Sequence, residues 1–492
     1  MDASLKRRLR QVPTWWADAK LGIFVHWTPA SVPAFAPTGT EIGELVMSGR
    51  QDALADTPYS EWYENSLRFP DSAVSAFHRE HYGDRPYEDF ADDFVAGLEH
   101  WDPEAWARRF AATGARYVVL VTKHHDGWCL WPSSVINPHR AGWFSQRDLV
   151  GELAEAVRAE GLRFGVYYSG GLDWTFDAWP IGTVADTIAA APDGDYLDYA
   201  EAQVTELIER YRPSVLWNDI SWPTEQKRLN ALLVHYFDRV PDGVVNDRWM
   251  TPLPGMPSAK GKLARRVINS VAVWSMRRSG GLVPPTPRFF QHRTPEYVVF
   301  DHIQRTPWEC VRGMDQGFGY NRTSTESDFI SRDDLLRSLV DIVSKGGNLM
   351  LNVGPRGEDA TIPEPQAQRL EWLAEWMTAS SAALVGTRPW IRAADRTPEG
   401  HEVRYTAAGD RVWALCWHAS VDGDPMVLPA TVTLPLISTP TTAVSTPNGQ
   451  SLNFTDTSAG LRIDLPIAPL DAPDPSVFAV AIDRAEPRSE SS

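Results

Sequence analysis

This chain of 492 residues contains only three cysteines: Cys129, Cys310 and Cys416. They are widely spaced and include no CxxC pair. A structural zinc site and a disulfide-stabilised fold both need clustered or paired cysteines, so neither is expected here. We interpret the three residues as free thiols in a reducing compartment.

Long apolar runs are also missing. No stretch of roughly 18 apolar residues occurs, so the sequence predicts no membrane-spanning helix and no membrane partner. The first residues, 1–13, are polar and basic and lead into no apolar core of a secretion signal. We therefore expect a cytoplasmic protein.

Positive charge is scarce. The formal net charge is -17, whereas a nucleic-acid partner requires clustered Lys and Arg to neutralise phosphates. We therefore expect no nucleic-acid partner. A neutral or modestly anionic glycan is compatible with this charge.

Tryptophan, by contrast, is abundant, with 21 residues. Most of them are expected in the core, because large aromatic side chains dominate burial. Eight lie next to polar or charged residues, as in carbohydrate sites where indoles stack on sugar CH faces and polar groups meet hydroxyls. These are Trp27, Trp62, Trp128, Trp131, Trp174, Trp217, Trp222 and Trp249.

The hydrophobic pattern predicts two domains. Residues 1–388 alternate apolar strands with helices that carry an apolar stripe, which is typical of a (β/α)8-like, TIM-type barrel. Residues 389–492 contain short strands separated by Gly, Pro, Asn and Asp, which predicts a C-terminal β-sandwich. The predicted barrel strands are 21–27, 117–123, 164–168, 214–218, 243–247, 317–321 and 348–352.

Polar side chains recur where the predicted barrel strands end. In a barrel these ends open on one face, so residues far apart in sequence converge there. Asp219, flanked by Trp217 and Trp222, suits chemistry on a sugar ring, although an Asp at this point could also cap the next helix. The other strand-end groups are His26, His124, His125, Asp126, Tyr167, Tyr168, Asp173, Asp247 and Arg248.

Two interpretations of the histidines compete. They could bind a divalent metal, as in barrel hydrolases, but no His pair at i, i+4 occurs and neighbouring strand residues point to opposite faces. Neutral imidazoles that donate to and accept from sugar hydroxyls are the favoured alternative. A structural role for one of the three stays open.

Residues 250–292 resist assignment. The segment is rich in proline and carries seven Lys and Arg residues. A loop of that length inside a compact domain is usually functional or disordered. A short helix is predicted within it, over residues 267–274.

Six motifs lie in the same order within residues 12–380 as in a known enzyme family. They are WWADAKLGIFVHW at 15–27, EWYEN at 61–65, KHHDG at 123–127, YYSGGLDW at 167–174, LWND at 216–219 and GGNLMLNVGP at 346–355. Together they resemble the α-L-fucosidases of glycoside hydrolase family 29. That family's fold, a barrel followed by a β-sandwich, agrees with the pattern above.

The resemblance implies a retaining exo-glycosidase that removes terminal α-L-fucosyl residues from glycans or glycosides. It assigns the nucleophile to Asp219 and, from the run Thr294-Pro-Glu-Tyr297, the acid/base to Glu296. We expect no cofactor and no metal. The substrate-binding positions that the resemblance implies are His26, Glu61, Trp62, His124, His125, Tyr167, Trp217, Arg248 and Phe318.

Physical chemistry agrees with these roles. A retaining glycosidase needs an ionised carboxylate and a protonated carboxylic acid about 5–5.5 Å apart. Arg248 near Asp219 would keep that carboxyl ionised, and desolvation would keep Glu296 protonated. The C5 methyl group of fucose needs an apolar wall, for which we nominate Trp62, Trp217 and Phe318.

Some points stay open at the level of sequence. The stretch between Arg248 and Glu296 is longer than the resemblance implies, which leaves Glu309 as a rival for the acid/base. Two other functions compete: a non-catalytic fucose-binding protein on the same scaffold, and a metal-dependent barrel hydrolase. The linkage preference, the natural substrate, the balance of transglycosylation and hydrolysis, and any oligomeric state are undetermined.

Overall fold

The computed structural model describes residues 1, 3–251, 261–279, 286–417, 429–466 and 477–488. Part of the 250–292 segment, at 252–260 and 280–285, therefore lies outside the described residues.

A curved parallel sheet forms the centre of the first part of the chain. In the described ranges it has seven strands in the order β5-β4-β3-β2-β1-β7-β6. The strands are β1 Leu21–Val25, β2 Tyr117–Lys123, β3 Arg163–Ser169, β4 Val215–Asp219, β5 Val244–Val245, β6 Trp308–Arg312 and β7 Gly347–Val353.

Residues 291–297 occupy the place of an eighth strand, between β5 and β6. Arg293 and Glu296 form isolated parallel bridges with Trp308 and Val311 of β6. On the other side, the side chain of Gln291 accepts a hydrogen bond of 2.7 Å from the backbone N–H of β5 residue Val245. This segment completes the barrel, and it carries Glu296.

The strands are buried on both faces, as expected for a parallel sheet covered by helices. In β2, Val119 and Val121 point into the barrel, where they join Phe24 and Met350. The alternate residues of the same strand, such as Val118, join the larger cluster under the helices.

Helices surround the sheet. Helix α7 begins at a side-chain cap: the Asp102 side chain accepts a hydrogen bond of 2.8 Å from the N–H of Ala105, and Pro103 occupies the first turn. The helices are α1 Ala3–Arg8, α2 Thr14–Ala19, α3 Ile42–Met47, α4 Tyr63–Ser66, α5 Ala73–Tyr82, α6 Phe90–Gly97, α7 Pro103–Ala112, α8 Leu149–Ala159, α9 Val184–Ala189, α10 Tyr196–Tyr211, α11 Gln226–Arg239, α12 Lys262–Ser279, α13 Arg332–Ser344 and α14 Glu364–Ser380.

One predicted strand is wrong. Residues 317–321 form a loop, and the strand before β7 is β6, Trp308–Arg312. The loop lies against residues 58–61 so closely that a Cβ on Gly317 would be 2.9 Å from the carbonyl oxygen of Pro58. The glycines allow this close approach. The helix predicted at 267–274 exists but is longer, since α12 runs from Lys262 to Ser279.

The C-terminal part is antiparallel and forms a β-sandwich. A five-stranded sheet, in the order β13-β16-β10-β9-β8, and a three-stranded sheet, β11-β15-β14, share one apolar cluster. The boundary at 388/389 stays a prediction. The strands are β8 Arg388–Arg396, β9 Glu402–Ala408, β10 Arg411–Trp417, β11 Thr431–Leu434, β12 Leu436–Ile437, β13 Ala443–Ser445, β14 Phe454–Thr457, β15 Gly460–Asp464, β16 Phe478–Asp483 and β17 Glu486–Pro487.

The β-sandwich packs against the barrel. Trp413 and Trp417 are buried in the same apolar cluster as the barrel helices. The indole N–H of Trp376 in α14 donates to the carbonyl oxygen of Val477 at 2.8 Å. The interface is therefore apolar with specific polar contacts. Within the described ranges, no helix is both long and apolar enough to cross a membrane.

Candidate active site

The carboxyl ends of the barrel strands bring the predicted site residues together. Asp219 is the last residue of β4, and Trp217 lies two positions before it. His26 follows β1 directly, and His124 follows β2 directly. Arg248 comes three residues after the end of β5, so four strands and the 291–297 segment supply one mouth.

A close contact between two strand ends shapes the backbone at Asp219. Ile220, the next residue, has a φ of 67°, in the left-handed region that a β-branched residue rarely adopts. A Cβ on Gly171 would lie only 2.7 Å from the Cβ of Ile220. The glycine after β3 therefore makes room for the strained turn that orients the Asp219 carboxylate.

Three groups donate hydrogen bonds to the Asp219 carboxylate. Oδ1 accepts from Arg248 Nη1 at 2.7 Å and from the backbone N–H of Ile220 at 2.8 Å. Oδ2 accepts from the Tyr167 hydroxyl at 2.8 Å. Burial by itself raises the pKa of Asp219, but the charge of Arg248 and these hydrogen bonds outweigh burial and lower the pKa below its ordinary value.

Glu296 binds the same guanidinium as Asp219. Its Oε1 accepts from Arg248 Nη2 at 2.5 Å, and the Tyr59 hydroxyl lies 3.4 Å from Oε2. Burial raises the pKa of Glu296; Arg248 opposes this effect and the charge of Asp219 adds to it, and the net result is a raised pKa. The two carboxyls therefore lie close together with pKa values shifted in opposite directions.

Arg248 is itself held in place. Its Nε donates to Thr294 Oγ1 at 3.1 Å, and that hydroxyl donates to Asp247 Oδ1 at 2.6 Å. The guanidinium carbon lies 4.6 Å from the centre of the Trp217 ring. The Trp217 ring thus packs against the Arg248 guanidinium and helps to hold it in position.

The three histidines line the mouth and are buried. Burial lowers the pKa of both His26 and His125 to about 4 and lowers that of His124 well below its ordinary value. His125 Nε2 lies 3.9 Å from Asp219 Oδ2. The His124 ring stacks on the Tyr167 ring, with ring centres 5.9 Å apart and an angle of 13° between the ring planes. Neutral imidazoles of this kind suit hydrogen bonding to hydroxyls.

The loop at 317–321 brings Phe318 and Glu61 to the same site. Glu61 Oε2 accepts from the backbone N–H of Gly319 at 2.8 Å. Burial raises the pKa of Glu61 to about 7. Phe318 stacks on His26, with ring centres 5.1 Å apart.

Trp62 connects the site to the unassigned segment. Its ring lies edge-on to His125 at 5.4 Å. Trp62, Ile220 and Val273 of α12 contact the same small apolar cluster. Helix α12 therefore lies beside the mouth of the site.

Glu309, the rival acid, lies elsewhere. The Tyr117 hydroxyl donates to its Oε1, and His292 Nε2 lies 3.7 Å from its Oε2. Tyr117 is the first residue of β2, whereas His124 directly follows the last residue of that strand. At the rise per residue of a β-strand, these two residues are about 20 Å apart. Glu309 thus lies toward the opposite end of the barrel from Asp219.

Several side chains of the site were not foreseen. Tyr59 contacts Glu296, and Thr294 contacts Arg248. Ser169 contacts His125, and Asn352 contacts His26. Tyr59 precedes the EWYEN motif by two residues, and the other three lie within or beside the quoted motifs, which is the only signal the sequence offers. Among the residues that the structure describes, no group of three or more His, Cys, Asp or Glu is arranged to hold a metal.

Comparison with known proteins gives a consistent result. The family model described as Alpha-L-fucosidase matches residues 2–382. An alpha-L-fucosidase of Branchiostoma floridae is 31% identical over 423 residues, which cover 82% of this chain and 79% of that protein.

Two solved structures of Thermotoga maritima alpha-fucosidase are each 36% identical and each cover 98% of this chain and 99% of theirs. One, in complex with a mechanism-based inhibitor, has a TM-score of 0.78, and the other, in complex with fucose, has a TM-score of 0.77. The match spans the barrel, the mouth and the β-sandwich. The chain therefore belongs to the alpha-L-fucosidase family of glycoside hydrolases.

Proposed function

We propose that this enzyme is a retaining exo-glycosidase that hydrolyses terminal α-L-fucosyl residues through a covalent intermediate on Asp219. The observation that carries the proposal is the shared guanidinium, because Arg248 binds one oxygen of Asp219 and one of Glu296. Two carboxyls held by one side chain fit the separation of about 5–5.5 Å in retaining enzymes better than the wider separation of inverting ones.

The two steps follow from the opposite pKa shifts. In the first step, ionised Asp219 attacks the anomeric carbon while protonated Glu296 gives its proton to the glycosidic oxygen, and the C–O bond breaks. In the second step, Glu296 takes a proton from water, the water oxygen attacks the same carbon, and the ester to Asp219 breaks. Fucose leaves with its original anomeric configuration.

The fucosyl substrate is supported by the family and by the composition of the mouth. A Thermotoga relative has been solved with fucose. In this chain, Phe318 and Trp62 supply apolar surface for a C5 methyl group, and the three histidines and Glu61 supply polar contacts for hydroxyls.

Azide rescue of two alanine variants tests the two roles. We expect Asp219→Ala to lower turnover of an aryl α-L-fucoside by several orders of magnitude. Azide should rescue Glu296→Ala with a fucosyl azide of retained configuration, and any azide product of Asp219→Ala should have the inverted configuration. Glu309→Ala is the matched control, and azide should not change its rate. Rescue of Glu309→Ala, or full activity of Asp219→Ala, would overturn the assignment.

A further inference from the structure

Two histidines of the mouth each contact a protein group that fixes where the ring proton lies. His26 Nδ1 lies 2.5 Å from Asn352 Oδ1. The amide nitrogen of Asn352 donates to the carbonyl oxygen of Phe318, which can only accept. The amide oxygen must therefore face His26. Since that oxygen is also only an acceptor, His26 Nδ1 carries the proton, and Nε2 of the neutral ring has a free lone pair.

The same reasoning applies to His125 with a different partner. His125 Nδ1 lies 2.6 Å from Ser169 Oγ. The Ser169 hydroxyl has one hydrogen, and it donates that hydrogen to the carbonyl oxygen of Leu172 at 2.6 Å. Ser169 Oγ must accept from His125, so His125 Nδ1 carries the proton. The Nε2 atom, 3.9 Å from Asp219 Oδ2, is left as an acceptor.

Both rings are neutral at pH values well above 4, because burial lowers the pKa of each imidazole to about 4. A neutral ring has a single N–H, so fixing Nδ1–H also fixes the role of Nε2. All four side chains are nearly fully buried, and the neighbouring protein groups therefore decide the tautomers.

We propose that Asn352 and Ser169 are positioning residues that make His26 and His125 hydrogen-bond acceptors toward the sugar. The proposal rests on the proposed function and adds a rule of specificity to it. The bound sugar must offer a hydroxyl hydrogen at each of two positions. A deoxy or O-methyl group at either position has no hydrogen to donate and leaves a buried acceptor unpaired, which is costly.

A comparison of variants on deoxy substrates tests this. We would measure kcat/KM of the wild type, Ser169→Ala, Asn352→Ala and Thr113→Val on an aryl α-L-fucoside and on its 2-, 3- and 4-deoxy analogues. Thr113 is the matched control, because it too is fully buried and donates to a backbone carbonyl, that of Phe110, but contacts no histidine of the site.

We expect Ser169→Ala and Asn352→Ala each to lose roughly 10- to 100-fold in kcat/KM on the parent substrate. The loss for Ser169→Ala should vanish on one deoxy analogue and the loss for Asn352→Ala on a different one, because the hydroxyl in question is then absent. Thr113→Val should behave as the wild type on every substrate. Equal losses on all four substrates would show a merely structural role and overturn the proposal.

Nitrogen NMR of the wild-type enzyme labelled with ¹⁵N-histidine gives an independent readout that needs no variant. His26 and His125 should both show a protonated Nδ1 and an unprotonated Nε2. The opposite tautomer in either ring would refute the proposal even if the enzyme hydrolyses fucosides. Absence of fucosidase activity in the wild type would instead contradict the proposed function and leave the tautomer measurement unaffected.

Discussion

At the scale of single residues, Arg248 influences the protonation of both carboxyls of the site. It lowers the pKa of Asp219 against the effect of burial, and it also opposes the raised pKa of Glu296. The Arg248 side chain thus holds both carboxyls in position and lowers the pKa of each.

We expect Arg248→Gln to shift the whole pH profile of kcat/KM upward as well as to lower its maximum. Without the guanidinium, the pKa of Asp219 rises, so activity is lost at a higher pH on the acidic side. The pKa of Glu296 rises as well, so activity persists to a higher pH on the basic side. Arg228→Gln, which removes a half-exposed arginine paired with Asp198, is the control. An unshifted profile would contradict this account of Arg248.

The site residues could be predicted from sequence where they follow recognisable strands. Asp219, His124 and Arg248 are examples, since a parallel barrel gathers strand ends whatever lies between them. Thr294, Ser169 and Asn352 could not be predicted, because their roles depend on hydrogen bonds whose partners are set by the register of distant segments. The strained backbone at Ile220 likewise depends on the room that Gly171 leaves beside it, which no local pattern reveals.

At the scale of elements, a buried ion pair joins β2 to the loop after β3. Lys123 Nζ lies 2.6 Å from Asp173 Oδ2, and both side chains are fully buried. The ammonium group also lies 4.5 Å from the centre of the Tyr168 ring. Lys123 and Asp173 belong to the KHHDG and YYSGGLDW motifs, which carry His125 and Ser169.

We expect Asp173→Asn to lower the free energy of unfolding by about 3–5 kcal/mol, because it leaves the Lys123 charge buried without a counter-charge. Denaturant unfolding followed by circular dichroism would measure this loss. Asp198→Asn is the matched control: it removes an exposed partner of Arg228 and should cost about 1 kcal/mol or less. A loss for Asp173→Asn no larger than that of the control would contradict the account.

Prediction of elements succeeded where a strand begins with consecutive apolar residues and failed where charged residues interrupt them. Strand β2 begins with the apolar run Tyr117–Val121, and β4 begins with Val215, Leu216 and Trp217. Strand β6 was missed because Trp308–Arg312 contains charged residues, one of which, Glu309, is buried inside the barrel. Residues 317–321 were predicted as a strand because they contain aromatic residues. In the structure they form a loop whose glycines allow close packing against residues 58–61.

At the scale of the whole molecule, the β-sandwich supports the barrel. Trp413, Leu415 and Trp417 of β10 are buried in the barrel's cluster, and Arg404 of β9 pairs with Asp341 of α13. Separating the two parts would expose this apolar surface and leave the charged pair incomplete.

We therefore expect the full chain to unfold in a single calorimetric transition and the fragment 1–388 to fail to fold stably by itself. Calorimetry and circular dichroism of the two proteins would measure this. Two separate transitions, or a fragment with native secondary structure and fucosidase activity, would show that the barrel is independent of the β-sandwich.

The central claim is that Asp219 forms an ester with the anomeric carbon of an α-L-fucosyl group. A 2-fluoro-fucosyl probe that accumulates this ester, followed by proteolysis and mass spectrometry of the labelled peptide, tests it most directly. The account predicts a single fucosyl label on Asp219, and no label after Asp219→Ala. A label on another side chain, or an active wild-type enzyme that takes up none, would contradict it.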